Sequence, residues 1–245
     1  MQVFNNNAFK ILCKPFGEYQ TNCYIAFDLC EKSALIIDPG IGATSWIVES
    51  LEKSGVTPLA ILNTHGHFDH VWSNAELQGH FASIPLLCPY EDAFMLHNDC
   101  FCTGLPSSIP TILVGNEEGE ICEKKSSVEN LGRKDSFSFN NFLITFICYP
   151  GHTPGCSVIE LSHKNSPQDS TSDLSQGAKA LFSGDFIFNR SIGRSDFPYS
   201  SSEVMKKSLE KFLESKNDML VLPGHGGSTS IFAEKENIPY WLSRF

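Results

Sequence analysis

Thr64-His65-Gly66-His67-Phe68-Asp69-His70 places four metal-capable side chains within six residues. The stretch follows an apolar run, Leu59-Ala60-Ile61-Leu62, and precedes a segment of helical character. Ionisable groups concentrated at the end of a buried strand cost free energy unless something there requires them, and a divalent metal would. Three further segments share this grammar of a short apolar strand, then Gly or Pro, then one metal-capable side chain. They are Tyr149-Pro150-Gly151-His152-Thr153-Pro154-Gly155 after Phe142–Ile147, Ser183-Gly184-Asp185 after Ala180-Leu181-Phe182, and Pro223-Gly224-His225 after Met219–Leu222. In open α/β sheets, sites form where strands end at their carboxyl edge, and glycine lets the backbone approach an ion closely. One such context is unremarkable; four in one chain argue against coincidence.

Composition sets the class. The chain has 245 residues, 41% of them hydrophobic and 19% charged, enough for one large domain with a sizeable core. Its net charge of −10 argues against a broad surface for nucleic acid or for an anionic membrane. Nine cysteines, with no paired Cys-x-x-Cys zinc spacing, fit free thiols in a reducing cytoplasm. The start, Met1-Gln2-Val3-Phe4, lacks the basic and apolar regions of a secretory signal, and no apolar run reaches the ~18 residues of a membrane span. Cys100-Phe101-Cys102 invites a redox reading, but small buried or surface thiols are the simpler expectation.

Strands are expected at Phe9–Cys13, Asn22–Phe27 and Ala34–Asp38, with Asp38-Pro39-Gly40 as a breaker. Helical spacing covers Thr44–Ser54, Asn74–His80 and Ser202–Lys216, and Pro89–Asn98 also has helical character. Further strands fall at Ile84–Cys88 and Val158–Ser162. Asp99–Pro110 reads as a loop near the site, and Gly115–Lys134 as turns with one hairpin. Asn165–Gly177 has the most loop-like composition and is expected to be a hairpin-tip insertion without catalytic duty. The alternation indicates an α/β fold organised as a single domain over residues 1–245, with two packed sheets.

Taken together, His65-x-His67-x-Asp69-His70, Gly151-His152, Gly184-Asp185 and Gly224-His225 resemble the motifs of the metallo-β-lactamase-fold superfamily, in the family's order. Asn22-Cys23-Tyr24, Ile37-Asp38-Pro39-Gly40, Gly151–Gly155 and Ile192-Gly193-Arg194-Ser195-Asp196 are similar to segments of short glyoxalase II-like (hydroxyacylglutathione hydrolase-like) enzymes. The resemblance implies an αββα sandwich of two mixed sheets flanked by helices, with the site along one edge. It also implies that His65, His67 and His152 hold one metal, that Asp69, His70 and His225 hold a second, and that Asp185 bridges the two. Imidazole and carboxylate donors suit two divalent ions, zinc first, with iron or manganese as alternatives. Two such ions ~3.5–4 Å apart clamp a bridging hydroxide for attack on an acyl carbon, with Asp69 as the catalytic residue that orients it and carries its proton.

Some positions depart from the pattern. Trp72 stands where relatives have a small residue and is expected to narrow the mouth, and Cys156 replaces a common serine as a small core thiol. Twenty residues follow His225, where larger glyoxalase II enzymes carry a helical glutathione-binding domain, so glutathione recognition is left open. Arg190 and Arg194 are candidates to meet a substrate carboxylate, although Arg194 is better placed for an ion pair with Asp196. Asp38 reads as a turn residue or a support for a ligand. The expected activity is cleavage of a small-molecule thioester such as an S-2-hydroxyacylglutathione. The alternative is a persulfide dioxygenase of the same superfamily, with one iron held by His65, His152 and Asp185. That reading is suggested by the segment Gly193–Phe197. A non-catalytic metal-binding protein comes third, because all seven ligand positions are filled. Oligomeric state is not legible.

Overall fold

The short apolar strands assemble into two facing sheets, with helices on both outer faces. The computed structural model describes residues 1–115, 121, 123–166 and 173–245. The first sheet runs in sequence order through β1 (Gln2–Asn5), β2 (Lys10–Phe16), β3 (Thr21–Asp28), β4 (Ser33–Ile37), β5 (Thr57–Leu62), β6 (Leu86–Pro89) and β7 (Ile112–Val114). Its first four strands are antiparallel and its last four are parallel. Parallel neighbours need crossovers, and these are α1 (Thr44–Ser54), α2 (Phe68–Val71) with α3 (Asn74–His80), and α4 (Ala93–His97).

The second sheet contains β8 (Lys134–Phe139), β9 (Phe142–Cys148), β10 (Ser157–His163), β11 (Lys179–Gly184), β14 (Leu220–Pro223) and β15 (Thr229–Ser230), and is likewise mixed. A small hairpin, β12 (Ile187–Phe188) with β13 (Ser191–Ile192), and the helices α5 (Ser202–Phe212) and α6 (Ile231–Leu242) complete the chain. Among the described residues no helix is long and apolar enough to cross a membrane.

Three apolar layers hold the sandwich. Ile11, Tyr24, Leu35, Ile37 and Leu62 from one sheet meet Phe142, Ile144, Phe146, Ile159 and Phe182 from the other. Ile25, Ile36 and Ile61 face outward onto Ile47 and Leu51 of α1 and Leu77 of α3. Val158, Leu181 and Val221 face Met205, Leu209 and Phe212 of α5 and Ile238 of α6. Every residue of β3 and β4 is buried, as suits central strands covered on both faces. Full burial of one such side chain contributes ~1.5–3 kcal/mol, so this packing, rather than any surface pair, fixes the frame. The αββα architecture is the expected one.

Local differences have local causes. The expected helix to Lys216 stops at Phe212, where the backbone N–H of Leu213 donates to the Leu209 carbonyl and that of Glu214 to the Lys211 carbonyl, allowing the chain to turn into β14. α6 was not anticipated. It buries only Ile231, Glu234 and Ile238, leaves Phe232 and Tyr240 exposed, and carries Pro239, so its apolar periodicity is weak. β8 and β9 form a hairpin turning at Asn140, which takes the left-handed conformation (φ 52°), beyond the Gly115–Lys134 stretch where one was expected. Residues 116–120 and 122 lie outside the described residues, as do 167–172 of the expected insertion. Of that insertion, Leu174–Gln176 form a 3₁₀ turn capped by the Asp173 side chain.

Candidate metal centre

Five chain segments leave the carboxyl ends of β4, β5, β9, β11 and β14 and converge on one point between the sheets. They bring Asp38, His65–His70, His152, Asp185 and His225 together. The ring nitrogens of His65, His67 and His152 form one group, and donor atoms of Asp69, His70 and His225 form a second, each group lying within 4.8 Å. Asp185 lies between them: Oδ2 is 3.6 Å from His152 Nε2 and 3.4 Å from His225 Nε2, and Oδ1 is 3.2 Å from His70 Nε2. All seven residues singled out from sequence are thus assembled in one place.

The outer nitrogens explain how the rings are aimed. His152 Nδ1 donates to the Arg194 carbonyl at 2.7 Å, and His225 Nδ1 to the Tyr19 carbonyl at 2.9 Å. His70 Nδ1 donates to Asp38 Oδ2 at 3.0 Å. His65 Nδ1 faces Thr64 Oγ1 at 3.1 Å, and that hydroxyl gives its own hydrogen to Asp38, leaving its lone pair for the ring. In His65 and His152 the proton therefore sits on Nδ1 and Nε2 turns a lone pair inward, which is how metal-ligating imidazoles are oriented, and the Nδ1 contacts of His70 and His225 aim their Nε2 atoms at the same point. Nε2 of His65, His67 and His152 and Oδ1 of Asp185 are buried without a hydrogen-bond partner. Such orphaned atoms are costly, and a cation bound to them removes the cost. The donor set fits a divalent metal.

Electrostatics agree. Burial pushes the His67 imidazole down to about 3, and pushes His65 and His152 below the usual value, so all three are neutral donors. Burial acts against a charge on His225 as well, but Asp185 and Asp69 outweigh it and lift this ring to about 9. Burial likewise opposes ionisation of Asp69, yet His70, His225 and the Thr21 hydroxyl bring its carboxyl down to about 2. The carboxylates that raise His70 and His225 attract a cation for the same reason.

Backbone shape is set by neighbours that leave no room. Gly184 lies in the left-handed region (φ 49°), and a Cβ there would strike the Thr64 side chain. A Cβ on Gly224 would strike Asp185 Oδ1 and the His70 ring. The Asn22-Cys23-Tyr24 segment ties the sheets at this edge. Asn22 donates from its backbone to the Gly224 carbonyl at 2.7 Å and from Nδ2 to Pro223, while the Tyr24 hydroxyl donates to Pro223 at 2.7 Å. These bonds fix the turn that presents His225.

Residues not singled out from sequence support the ligands. Asp92, fully buried after β6, accepts from Gly66 N (2.9 Å), Thr153 Oγ1 (2.6 Å) and Gly155 N (2.6 Å). It joins the loop carrying His65 and His67 to the loop carrying His152, and burial lifts its carboxyl to about 7 against the pull of those donors. Its sequence signal is weak, because Tyr90 and Glu91 separate it from the breaker Pro89. Thr21 holds Asp69 Oδ2 at 2.6 Å. Asp38 supports His70 and Thr64, as expected of it.

The centre opens into a cavity of about 400 Å³ whose lining includes His67, Asp69, His152, Asp185 and His225. Trp72 is not among the lining residues. It stands behind Phe68, ring centroids 6.5 Å apart, so the expected narrowing of the mouth does not occur. Arg194 pairs with Asp196 through two bonds of 2.9 and 2.8 Å, as expected, while Arg190 is exposed and its backbone N–H is held by Glu234. Cys156 is a buried thiol raised by burial, and Cys100 and Cys102 are free.

A strand-end cluster of histidines and aspartates on an αββα sandwich defines a metallo-hydrolase class of site. The chain belongs to the metallo-beta-lactamase superfamily, whose family model matches residues 16–165 and 161–225. The hydroxyacylglutathione hydrolase GloC of Haemophilus influenzae is 31% identical over 237 residues, covering 94% of this chain and 97% of that one. Among solved structures, the BLEG-1 B3 metallo-beta-lactamase matches with a TM-score of 0.71 and 28% identity, covering 95% of this chain and 99% of that chain. TTHA1623, solved in a di-iron-bound form, matches with a TM-score of 0.65 and 25% identity over 94% of this chain and 99% of its own.

Proposed function

We propose that the protein is a metal-dependent hydrolase of small thioesters, similar in activity to glyoxalase II, with two divalent ions in one site. The observation that carries the reading is the inward set of unpartnered donor atoms on His65, His67, His152 and Asp185 beside the second group of Asp69, His70 and His225. His65, His67 and His152 would hold one ion, Asp69, His70 and His225 the other, and Asp185, within 3.6 Å of ligands from both groups, would bridge them. Zinc suits these donors, and iron is the alternative that the di-iron form of TTHA1623 brings to mind. Bound there, the ions would supply an ionised water at neutral pH and stabilise the developing oxyanion.

The chain's own residues do the rest. Asp69 is held by Thr21 through Oδ2, leaving Oδ1 to orient the attacking water and take up its proton. The buried imidazoles of His65, His67 and His152 stay neutral, and Asp92 and Asp38 keep their loops in register. The likeness to GloC supports a thioester as substrate. A mononuclear-iron persulfide dioxygenase would need only His65, His152 and Asp185; Asp69, His70 and His225 are present in either case, so it is the likeness to GloC that favours the two-metal hydrolase.

His67→Ala tests the reading. In the metal-loaded variant, thioester hydrolysis is lost while the circular dichroism spectrum keeps its shape. Undiminished turnover by a folded variant removes the two-metal hydrolysis account.

A further inference from the structure

The walls of the cavity are chemically unlike its floor. Above the ligand cluster stand Tyr19, Phe68, Phe101, Phe188, Ile192 and Phe197, contributed by turns, by the start of α2 and by β12 and β13. Their rings contact one another and the outermost ligands. Phe101 and Phe197 lie 5.2 and 5.8 Å from the His67 ring, both edge-on, and Phe188 lies 5.9 Å from His225. Tyr19 meets Phe68 at 5.3 Å, and Phe68 meets Phe101 at 6.2 Å. The four phenylalanines are only partly buried and Tyr19 is 57% exposed. A ring of half-exposed aromatics over a polar floor is the mark of a site that takes an apolar ligand group.

Charge on the wall is already spent. Among the described residues that line the cavity, Arg194 is the one cationic side chain apart from the histidines. Asp196 engages it through two bonds, and its guanidinium lies 4.2 Å from the Phe197 ring centre. A glutathione thioester carries two carboxylates and an ammonium, and a nucleotide-linked thioester carries phosphates. Among the described lining residues the only cation either would meet, apart from the histidines, is Arg194, which Asp196 already engages. Thiol carriers in solution are polar along most of their length, so the apolar partner for the wall is the acyl group.

We infer that the cavity selects thioesters with an aromatic or similarly bulky apolar acyl group, in preference to small hydroxylated ones, with the carrier thiol extending into solvent. This rests on the thioesterase reading above and narrows its substrate class. Phe101 and Phe197, which flank the first metal group at His67, are the specificity-determining residues.

The test uses phenylacetyl and lactoyl thioesters of N-acetylcysteamine, a neutral carrier, on the metal-loaded protein. Calorimetric binding of the S-phenacyl and S-acetonyl thioethers of the same thiol, which cannot be hydrolysed, is measured alongside. The expected result is a kcat/KM ratio of about tenfold or more for phenylacetyl over lactoyl, the scale a hydrophobic pocket supplies for a group of this size. The phenacyl thioether binds tighter by a similar factor. Phe101→Ala, and independently Phe197→Ala, reduces both ratios severalfold. Equal or better turnover of the lactoyl ester, with no preference between the thioethers, overturns the inference and leaves the hydrolase reading standing. Turnover of neither, with S-lactoylglutathione cleaved by the same sample, overturns the inference and leaves the hydrolase reading standing, whereas cleavage of no thioester at all overturns both.

Discussion

Replacing Asp92 with Asn tests whether one buried carboxylate sets the geometry of the His65, His67 and His152 group. Asp92 Oδ2 accepts from Gly66 N and Thr153 Oγ1, and Oδ1 accepts from Gly155 N. An asparagine oriented with its oxygen in the Oδ2 position keeps the first two bonds but turns an NH₂ toward the Gly155 N–H. One buried donor is then unpaired, at a cost of about 1–3 kcal/mol. Asp92→Ala orphans all three donors and is expected to cost ~3–6 kcal/mol, a large part of an ordinary domain's ~5–15 kcal/mol. Gly66 lies between His65 and His67, so the same change loosens both rings, and loss of such a support lowers metal affinity by about 10- to 100-fold. Urea melts of the chelated protein give the first number, and metal titration monitored by competition with a chromophoric chelator gives the second. Asp92→Asn with parental stability and parental metal affinity would refute the idea that this carboxylate joins the two ligand loops.

The remaining predictions address single bonds. Thr21→Val removes the hydroxyl that holds Asp69 at 2.6 Å and is expected to lower kcat by about 10- to 100-fold, in line with the ~1.5–3 kcal/mol of a hydrogen bond to a charged group; steady-state kinetics with unchanged metal content checks it. Tyr24→Phe removes the bond to the Pro223 carbonyl and is expected to lower stability by about 0.5–1.5 kcal/mol in denaturant melts. Gly224→Ala is expected to abolish metal binding at the second group, read by metal analysis, because the added methyl collides with Asp185 and His70. Far from the metal centre, burial pushes the Asp28 carboxyl up, but hydrogen bonds from the Glu31 N–H, His163 and Asn141 outweigh it and hold Asp28 below the usual carboxylate value. A group lowered on folding stabilises the fold above its unfolded value and loses that contribution as pH falls through the folded one. Asp28→Asn should therefore flatten the fall in stability below about pH 4; an unchanged slope in melts between pH 5 and pH 3 contradicts this.

Much of the architecture was legible because burial leaves period-2 and apolar-run signatures in strands such as Phe142–Cys148 and Ser33–Ile37. The candidate ligands were legible for a related reason: each follows such a run where the chain must break, so spacing and residue type agreed at His65–His70, His152, Asp185 and His225. What escaped notice acts through tertiary contact. Asp92 and Thr21 look like ordinary turn and strand-start residues until folding brings Gly66, Thr153 and Asp69 to them. The backbone carbonyls of Tyr19 and Arg194, which aim two imidazoles, have no side-chain signal at all. α6 escaped because a helix that buries three residues, one of them Glu234, has little apolar periodicity to read. The aromatic wall is spread from Tyr19 to Phe197, and only the fold gathers it.

The central claim is a two-metal centre that cleaves thioesters, and metal content measured with activity on one sample tests it most directly. Protein purified without chelators, without a tag, is analysed for metals and assayed with acyl thioesters and, separately, for oxygen consumption on glutathione persulfide. The account predicts about two divalent ions per chain, thioester cleavage that is lost on chelation and restored by metal, and no oxygen uptake. One iron per chain, with oxygen consumed on the persulfide and no thioester cleaved, would contradict it.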